Sequence, residues 1–572
     1  MSVPVASEFW HGIVRSRLTA TGNAALPQFV PMDSHAIEAL EEEERAMRRA
    51  ICTVRVERNA LLPIHGLPSE VLSYVFALCA ADPPSYHTNW LSLGWVVVTH
   101  VCRRWRDTAL GCAGLWADVS LGKGEQWAGE MLRRAQVVPV RVDTGEKVTG
   151  TACQLVAAHL HHTKELSLGE MALVEPPPGA RLLSADNPAP LLTTLNISAF
   201  SGTPPLGQLG SCAPSLRRLT VQTSAPNLPW TSHLLKNLTM LNVSGSVWHL
   251  PTLSMNDVLS ALRRMPGLEM LHLVGCLPRP EQAQDTIVLS RLTDVKLGGQ
   301  MQSCISLLCG IKAPNCSTTC FDLFCSSAIV ESIVDAIKAL SAWLKTNWRV
   351  SPMALRFSDN ADDQMQVEAW ATSFGDFSAR RLGHMYKQEA DVLITFLWIE
   401  GEPPEVDRPG LALACYGALE SPQLEQLAVQ MNEWDCETWE DLVGSHAGLQ
   451  RISADKEAAD GLITALGGAD DNETPHFPSL YSIELCGVKF FQAEWHLRGD
   501  GHPVRSHLTF HSNLQEWLQT RADRGYPLGK LTLRDAIVHA NYLTELGEVQ
   551  GLSVDDAACT VSHATIFEPL PQ

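Results

Sequence analysis

The sequence predicts an α/β chain: an irregular solenoid, with a parallel sheet and flanking helices, preceded by a small all-α head. Two observations carry this. From residue 34 to 121 the apolar residues recur at steps of three and four, the helical period. Beyond residue 150 a recurring L-x-x-L-x-L takes over, and its last two leucines alternate as they do on one face of a short strand. The length agrees, since 572 residues exceed one small core and suit two or three units.

Hydrophobic residues make up 45% of the chain and charged residues 19%, which describes a folded protein rather than a disordered one. There are 63 acidic residues against 43 Lys and Arg, a net charge of -20. That sign disfavours sequence-blind nucleic-acid binding, which needs clustered cations. The knots Arg45/Arg48/Arg49 and Arg103/Arg104/Arg106 read as solvated helix faces. The N-terminus, MSVPVASEFWHGIVRSRLTA, lacks the uninterrupted apolar stretch of a secretory signal. No apolar run approaches the roughly 18–20 residues that cross a bilayer. A cytoplasmic or nuclear location is therefore expected, with no membrane partner. There the 16 cysteines behave as free thiols, small and mostly buried.

Residues 1–33 carry Pro4, Pro27 and Pro31 without a clear period and are expected to be a flexible segment. Residues 34–62 read as an amphipathic helix capped by Ser34. Ile37, Leu40, Glu44, Met47, Ile51, Val54, Arg58 and Leu61 follow the heptad rhythm. Two of these eight positions are charged, so folding back on the next module is expected ahead of a dimerising coil. Residues 63–121 read as a compact helical domain. In PIHGLPSEVLSYVFALCAADPP, a Leu-Pro precedes a helix start, where the missing N–H of proline loses nothing. Leu72, Val75, Phe76 and Cys79 then share one face. A further helix, THVCRRWRDTALG, aligns Val101, Cys102, Trp105 and Ala109 before Gly111, Gly114 and Leu115-Trp116.

The strings LPSEVLSYVFALC and VCRRWRDTALGCAGLW resemble the F-box, in the form common among mushroom-type fungal proteins. The resemblance covers roughly residues 35–121. It departs at the proline usual before Leu-Trp, where Ala113-Gly114 stand instead. It implies a non-catalytic subunit of an SCF-type (Skp–cullin–F-box) ubiquitin ligase. The head would dock a Skp-type adaptor, and through it the cullin and RING subunits, by way of Leu67, Pro68, Leu72, Val75, Phe76, Val101, Cys102, Trp105, Leu115 and Trp116. Some of these must pack the helices together and some must stay accessible. The alternative is a protein-binding scaffold whose F-box-like helices only cap the solenoid end, which needs covering.

Residues 122–150 read as a connector, and 151–572 as a degenerate leucine-rich-repeat-like domain. The clear copies are Leu192/Leu195/Ile197, Leu216/Leu219/Val221, Leu238/Leu241/Val243, Leu268/Leu271/Leu273 and Leu292/Val295/Leu297, spaced by 24, 22, 30 and 24 residues. The pattern resumes at Leu424/Leu427/Val429, Leu480/Ile483/Leu485 and Leu528/Leu531/Leu533, with weaker copies at Leu166/Leu168 and Leu449/Ile452. This is the leucine-rich-repeat signature, whose period is about 20–29 residues. The stretch 300–420 is poorer. It offers a helix over 328–345 and strands at MALRF and DVLITFLWI.

No G-x-S-x-G, Walker A, G-x-G-x-x-G, kinase or zincin motif occurs. Cys304, Cys309, Cys316, Cys320 and Cys325 have permissive zinc spacing, but no C-x-x-C exists and Phe321, Leu323 and Phe324 argue for buried strand. His159, His161 and His162 have no acidic or thiol partner placed with them. No metal or cofactor is expected. The substrate-binding residues are not readable. Trp434 and Trp439, and after them Trp230 and Trp248, are the candidate surface anchors, because binding hot spots are rich in Trp.

Overall fold

The computed structural model describes residues 6–20, 34–81, 94–145, 147–171, 187–199, 212–223, 228, 230, 233–246, 253–281, 285–325, 330–348, 351–361, 364–373, 390–398, 407–419, 421–443, 448–467, 477–490, 494–497, 503–506 and 509–562. The chain forms two compact units, residues 1–118 with 131–138, and residues 119–130 with 139–572.

The smaller unit contains α1 (Ala6–Ala20), α2 (Ser34–Ala60), α3 (Ser69–Ala81) and α4 (Arg103–Gly111), with 3-10 turns at Pro63–Gly66, Gly94–His100 and Ala113–Trp116. The helix α1 differs from the flexible segment expected over 1–33. The prolines that argued for irregular chain stand at 4, 27 and 31, all outside it. Its own residues contain no proline and only one glycine, Gly12, and Arg17 ties it to Glu43 of α2 at 2.5 Å. The core of this unit is Leu72 and Phe76 from α3, Ala109 from α4, and Leu115 and Trp116. Phe76 meets Trp105 at 5.1 Å, and Trp95 meets Trp116 edge-on at 4.9 Å. The Trp116 indole donates to the Ala109 carbonyl at 2.9 Å, and the Arg134 guanidinium covers its ring at 4.2 Å.

The larger unit is a mixed α/β fold on one sheet, with 17 strands among the described residues. They are β1 (Asp118–Ser120), β2 (Val140–Asp143), β3 (Thr163–Leu168), β4 (Thr194–Ala199), β5 (Arg218–Thr223), β6 (Met240–Ser244), β7 (Met270–Val274), β8 (Asp294–Gln300), β9 (Thr318–Cys325), β10 (Ala354–Ala361), β11 (Gln364–Trp370), β12 (Val392–Trp398), β13 (Gln426–Gln430), β14 (Arg451–Asp455), β15 (Ser482–Cys486), β16 (Lys530–His539) and β17 (Ser553–Ser562). From β2 to β9 each strand pairs in parallel with the next one in the chain. The register brings Leu195, Leu219, Leu241, Leu271 and Val295 side by side, and Ile197, Val221, Val243, Leu273 and Leu297 two residues on. All ten are buried. The sheet begins at β1, at the end of the span expected to be all-helical, and continues with β2 inside the expected connector, because DVS and VRVD are too short to register as repeats.

Among the described residues chain order in this sheet breaks once. β9 pairs with β12 in parallel, β12 with β11 antiparallel, and β11 with β10 antiparallel; β10 then pairs with β13 in parallel. Thus β11 runs against the sheet, between two strands that flank it in the chain. From β13 to β17 the parallel chain order returns. Helices Met255–Arg263, Met301–Cys309, Val330–Asn347, Arg408–Leu419, Cys436–Val443, Lys456–Gly467, Thr509–Asp523 and Ala540–Gly547 each touch the next in this sequence. The Pro/Gly-rich stretches at 175–190, 201–214, 401–410 and 467–478 fall largely outside the described residues.

Two histidines give this unit a pH dependence. Burial lowers the pKa of His159, and neighbouring His161 adds to the effect. Burial also lowers that of His511, which stacks on Tyr542 at 3.9 Å, although Glu545 works the other way. A depressed folded-state pKa means stability that is intact above the ordinary value of 6.5 and lost as pH falls through the folded value. Thermal melts from neutral pH down to about pH 5, above the carboxylate range, are expected to show a falling midpoint. The double variant His159→Gln, His511→Gln is expected to flatten the slope. An unchanged slope would assign the acid sensitivity to other groups.

Candidate functional site

Two surfaces bring functional chemistry together, one on each unit. On the smaller unit the ten expected docking residues divide. Leu72, Phe76, Leu115 and Trp116 are buried and hold the unit together. Leu67, Val75, Cys102 and Trp105 are half-buried, while Pro68 and Val101 are exposed. Cys102 is also a helix cap, its sulfur accepting from the Trp105 amide at 3.5 Å.

The accessible apolar surface is larger than these residues, and sequence reasoning missed most of it. Val71, Tyr74 and Leu78 stand at i, i+3 and i+7 on α3, exposed by 42, 67 and 54%. They lie on the helix side opposite Leu72 and Phe76. Leu61, Leu62, Ile64 and Val97 are exposed as well. A signal was present, because SEVLSYVFALCAA is apolar nearly all the way round, and one small core needs only one stripe. Cys79, expected on the inward face, is exposed.

Arg104 shapes this surface. Its guanidinium donates to the carbonyls of both His65 and Leu67, fixing the turn before α3 against α4. Pro68 then accepts the first helical bond, from the Leu72 amide at 3.1 Å. The arginine was readable only as part of a basic knot, since its two acceptors lie more than thirty residues earlier.

On the larger unit the second surface is the polar face of the sheet. Register places Asn242, His272, Lys296, Cys320, Leu393, Glu368 and Arg356 in one row across seven strands. A cavity of about 700 Å³ opens on it, and Gln222, Ser244, Asp294 and Asp322 join the lining. His272 Nε2 lies 3.0 Å from Asp294 Oδ1, and Lys296 Nζ lies 3.4 Å from Asp322 Oδ2. Arg356 pairs with Glu368 across the antiparallel step. Burial works to lower the Lys296 pKa, but Cys320 and Asp322 outweigh it and the ammonium is held protonated more firmly than usual. Burial, with Asp322, pushes the Cys320 thiol up to about 11, so it stays protonated near neutral pH and is a poor nucleophile. The lining offers alternating donors and acceptors of both signs, suited to binding a polar, charged segment.

The tryptophan candidates are corrected. Trp434 and Trp439 are 1 and 0% exposed and belong to the core. The Asp435 side chain accepts from the Thr438 amide at 2.9 Å and starts the helix Cys436–Val443, which carries Trp439 inward. Trp434 stacks on Phe357 at 5.9 Å, and the Trp439 indole donates to the Ala458 carbonyl at 2.8 Å. Gly461 allows the next helix this close, since a Cβ there would stand 2.8 Å from the Trp434 carbonyl oxygen. Trp230 is buried too, and Trp248 lies outside the described residues.

Of the cysteine cluster, Cys304, Cys316 and Cys325 are buried, Cys320 is half-buried and Cys309 is exposed. Among the described residues no group of three His, Cys, Asp or Glu side chains is arranged to hold a metal ion. His159 Nδ1 and His162 Nε2 instead lie 3.2 Å apart, with the three rings stacked. Among the described residues no helix is long and apolar enough to cross a membrane.

No protein-family model matches the chain, and no curated protein matches it.

Two outcomes test this geometry. Arg104→Ala leaves two carbonyls without their charged donor, a loss of about 1.5–3 kcal/mol per bond. Hydrogen exchange is expected to quicken over residues 62–72 and to stay unchanged across β4–β8. Trp439→Ala is expected to lower the unfolding free energy of the larger unit by about 3–5 kcal/mol, read by denaturant titration. A variant as stable as the parent would return Trp439 to the surface.

Proposed function

We propose that the chain is the substrate-recognition subunit of an SCF-type ubiquitin ligase. The head acts as an F-box that docks a Skp-type adaptor. The larger unit acts as a degenerate leucine-rich-repeat solenoid that holds the target protein. In this reading the chain is intracellular, in cytoplasm or nucleus, and has no catalytic residue of its own. It works by proximity, raising the effective concentration of target lysines near the ubiquitin-charged enzyme brought by the partner subunits.

The observation that carries the reading is the second apolar face of α3. Val71, Tyr74 and Leu78 are exposed while Leu72 and Phe76 already fill the unit's core. Exposed apolar surface of this kind marks an interaction site, and Ile64 and Pro68 at the Leu-Pro motif are exposed as well. The target would lie on the polar row of the sheet, where His272, Lys296 and Arg356 each stand beside a carboxylate.

The test is capture of a purified Skp-type adaptor by three forms of the full chain. Val71→Asp with Leu78→Asp, and separately Leu67→Ala with Pro68→Ala, are each expected to weaken capture about thirtyfold or more. Melting of the larger unit should stay unchanged, because repeat units gain their stability from nearest neighbours. Capture at full strength by both variants would overturn the F-box reading.

A further inference from the structure

The apolar seam of α2 is open. Ile37, Leu40, Met47, Ile51, Val54 and Leu61 are 44, 39, 38, 51, 61 and 86% exposed. The helix therefore does not fold its seam onto the next module as the sequence suggested. Its 27 residues span about 40 Å, long enough for several heptad layers. With Ile37 and Ile51 at a positions and Leu40, Met47 and Val54 at d, and Leu61 continuing the rhythm one residue past the helix end, the charged exceptions Glu44 and Arg58 are both at a.

The charges along α2 say what covers that seam. Glu38 and Glu41 to Glu44 fill its first half. Arg45, Arg48, Arg49, Arg55 and Arg58 fill its second, with Glu57 the one acid among them. We propose that α2 pairs with α2 of a second copy of this chain, as an antiparallel two-stranded coil. In a parallel pair a faces a, so Glu44 would meet Glu44 and Arg58 would meet Arg58 inside the seam. In an antiparallel pair a faces d, and neither charge meets its own kind. The acidic half of one copy then lies along the basic half of the other, and the helix dipoles oppose each other favourably. The existing partners do not compete strongly. Arg45 and Arg48 pair with Glu42 and Glu44 of the same helix, and such exposed pairs contribute little. Arg17 of α1 occupies the flank at Glu43, while Glu41, Arg48 and Arg55 line the other flank. The proposal is independent of the ligase reading, because it uses only the helix before the F-box-like motif.

Sedimentation equilibrium of the full chain over a concentration series is expected to give a mass rising from 62.6 kDa toward twice that value. Ile51→Asp with Val54→Asp puts charge into the seam and should weaken the dimer about a hundredfold or more. Both side chains are more than half exposed in the single chain, so the melting of the larger unit should not move, while any concentration dependence of melting in the parent should be lost. Orientation is read by replacing Glu41 with the photo-crosslinking residue p-benzoylphenylalanine. Covalent dimers should join position 41 to the segment between the partner's Arg48 and the partner's Arg58. A chain that stays monomeric throughout the series overturns the proposal, as does a dimer of undiminished strength in the Ile51/Val54 variant. Cross-links confined to the segment between the partner's Ala36 and the partner's Glu43 overturn the antiparallel arrangement.

Discussion

The larger unit depends on one constraint: a strand of this sheet cannot cover its own apolar pair. Leu241 and Val243 are buried because Leu219 and Val221 stand on one side and Leu271 and Leu273 on the other. Matched register keeps every such pair on the same side, since a slip of one residue turns the whole set outward. The same register aligns the outward residues. Asn242, His272 and Lys296 form a row because their inward neighbours must. The position of the polar surface thus follows from core packing.

The reversal at β10–β12 obeys the same constraint. An antiparallel strand can enter a parallel sheet if its inward residues meet those of its neighbours, and they do: Val367 pairs with Phe357 on one side and Ile394 on the other, all three buried. Glu368 and Arg356 then fall opposite each other on the outward face and form a cross-strand ion pair. The polar row continues through the break, and the cavity lies across it. An irregularity in topology therefore leaves both faces of the sheet continuous.

These particulars mark how far the sequence could be read. The L-x-L copies were visible because burial of alternate residues by like neighbours imposes a local pattern. The strand QMQVEAW carries the same alternation, yet its direction depends on which strand it joins, and that information is not local. Trp434 and Trp439 were misread for a related reason: a tryptophan after a strand is equally compatible with a displayed loop and with a helix that turns back into the core. The Asp435 cap and the close approach at Gly461 decide it. The helix α1 was hidden by prolines that flank it without entering it.

The head raises a different question, because α3 is apolar on two sides and only one is used internally. Burying Leu72 and Phe76 stabilises the unit; leaving Val71, Tyr74 and Leu78 in water gives nothing back to it. Polar residues at those three positions would keep the helix and the core intact and improve solubility, so stability alone does not account for them. The Arg104 clamp points the same way. It spends a guanidinium on two carbonyls of the turn before α3, and so fixes Ile64, Leu67 and Pro68 beside the exposed stripe. A surface that is apolar, held rigid and not consumed by its own fold loses little entropy on docking. That combination, rather than the motif letters themselves, is what the docking proposal rests on.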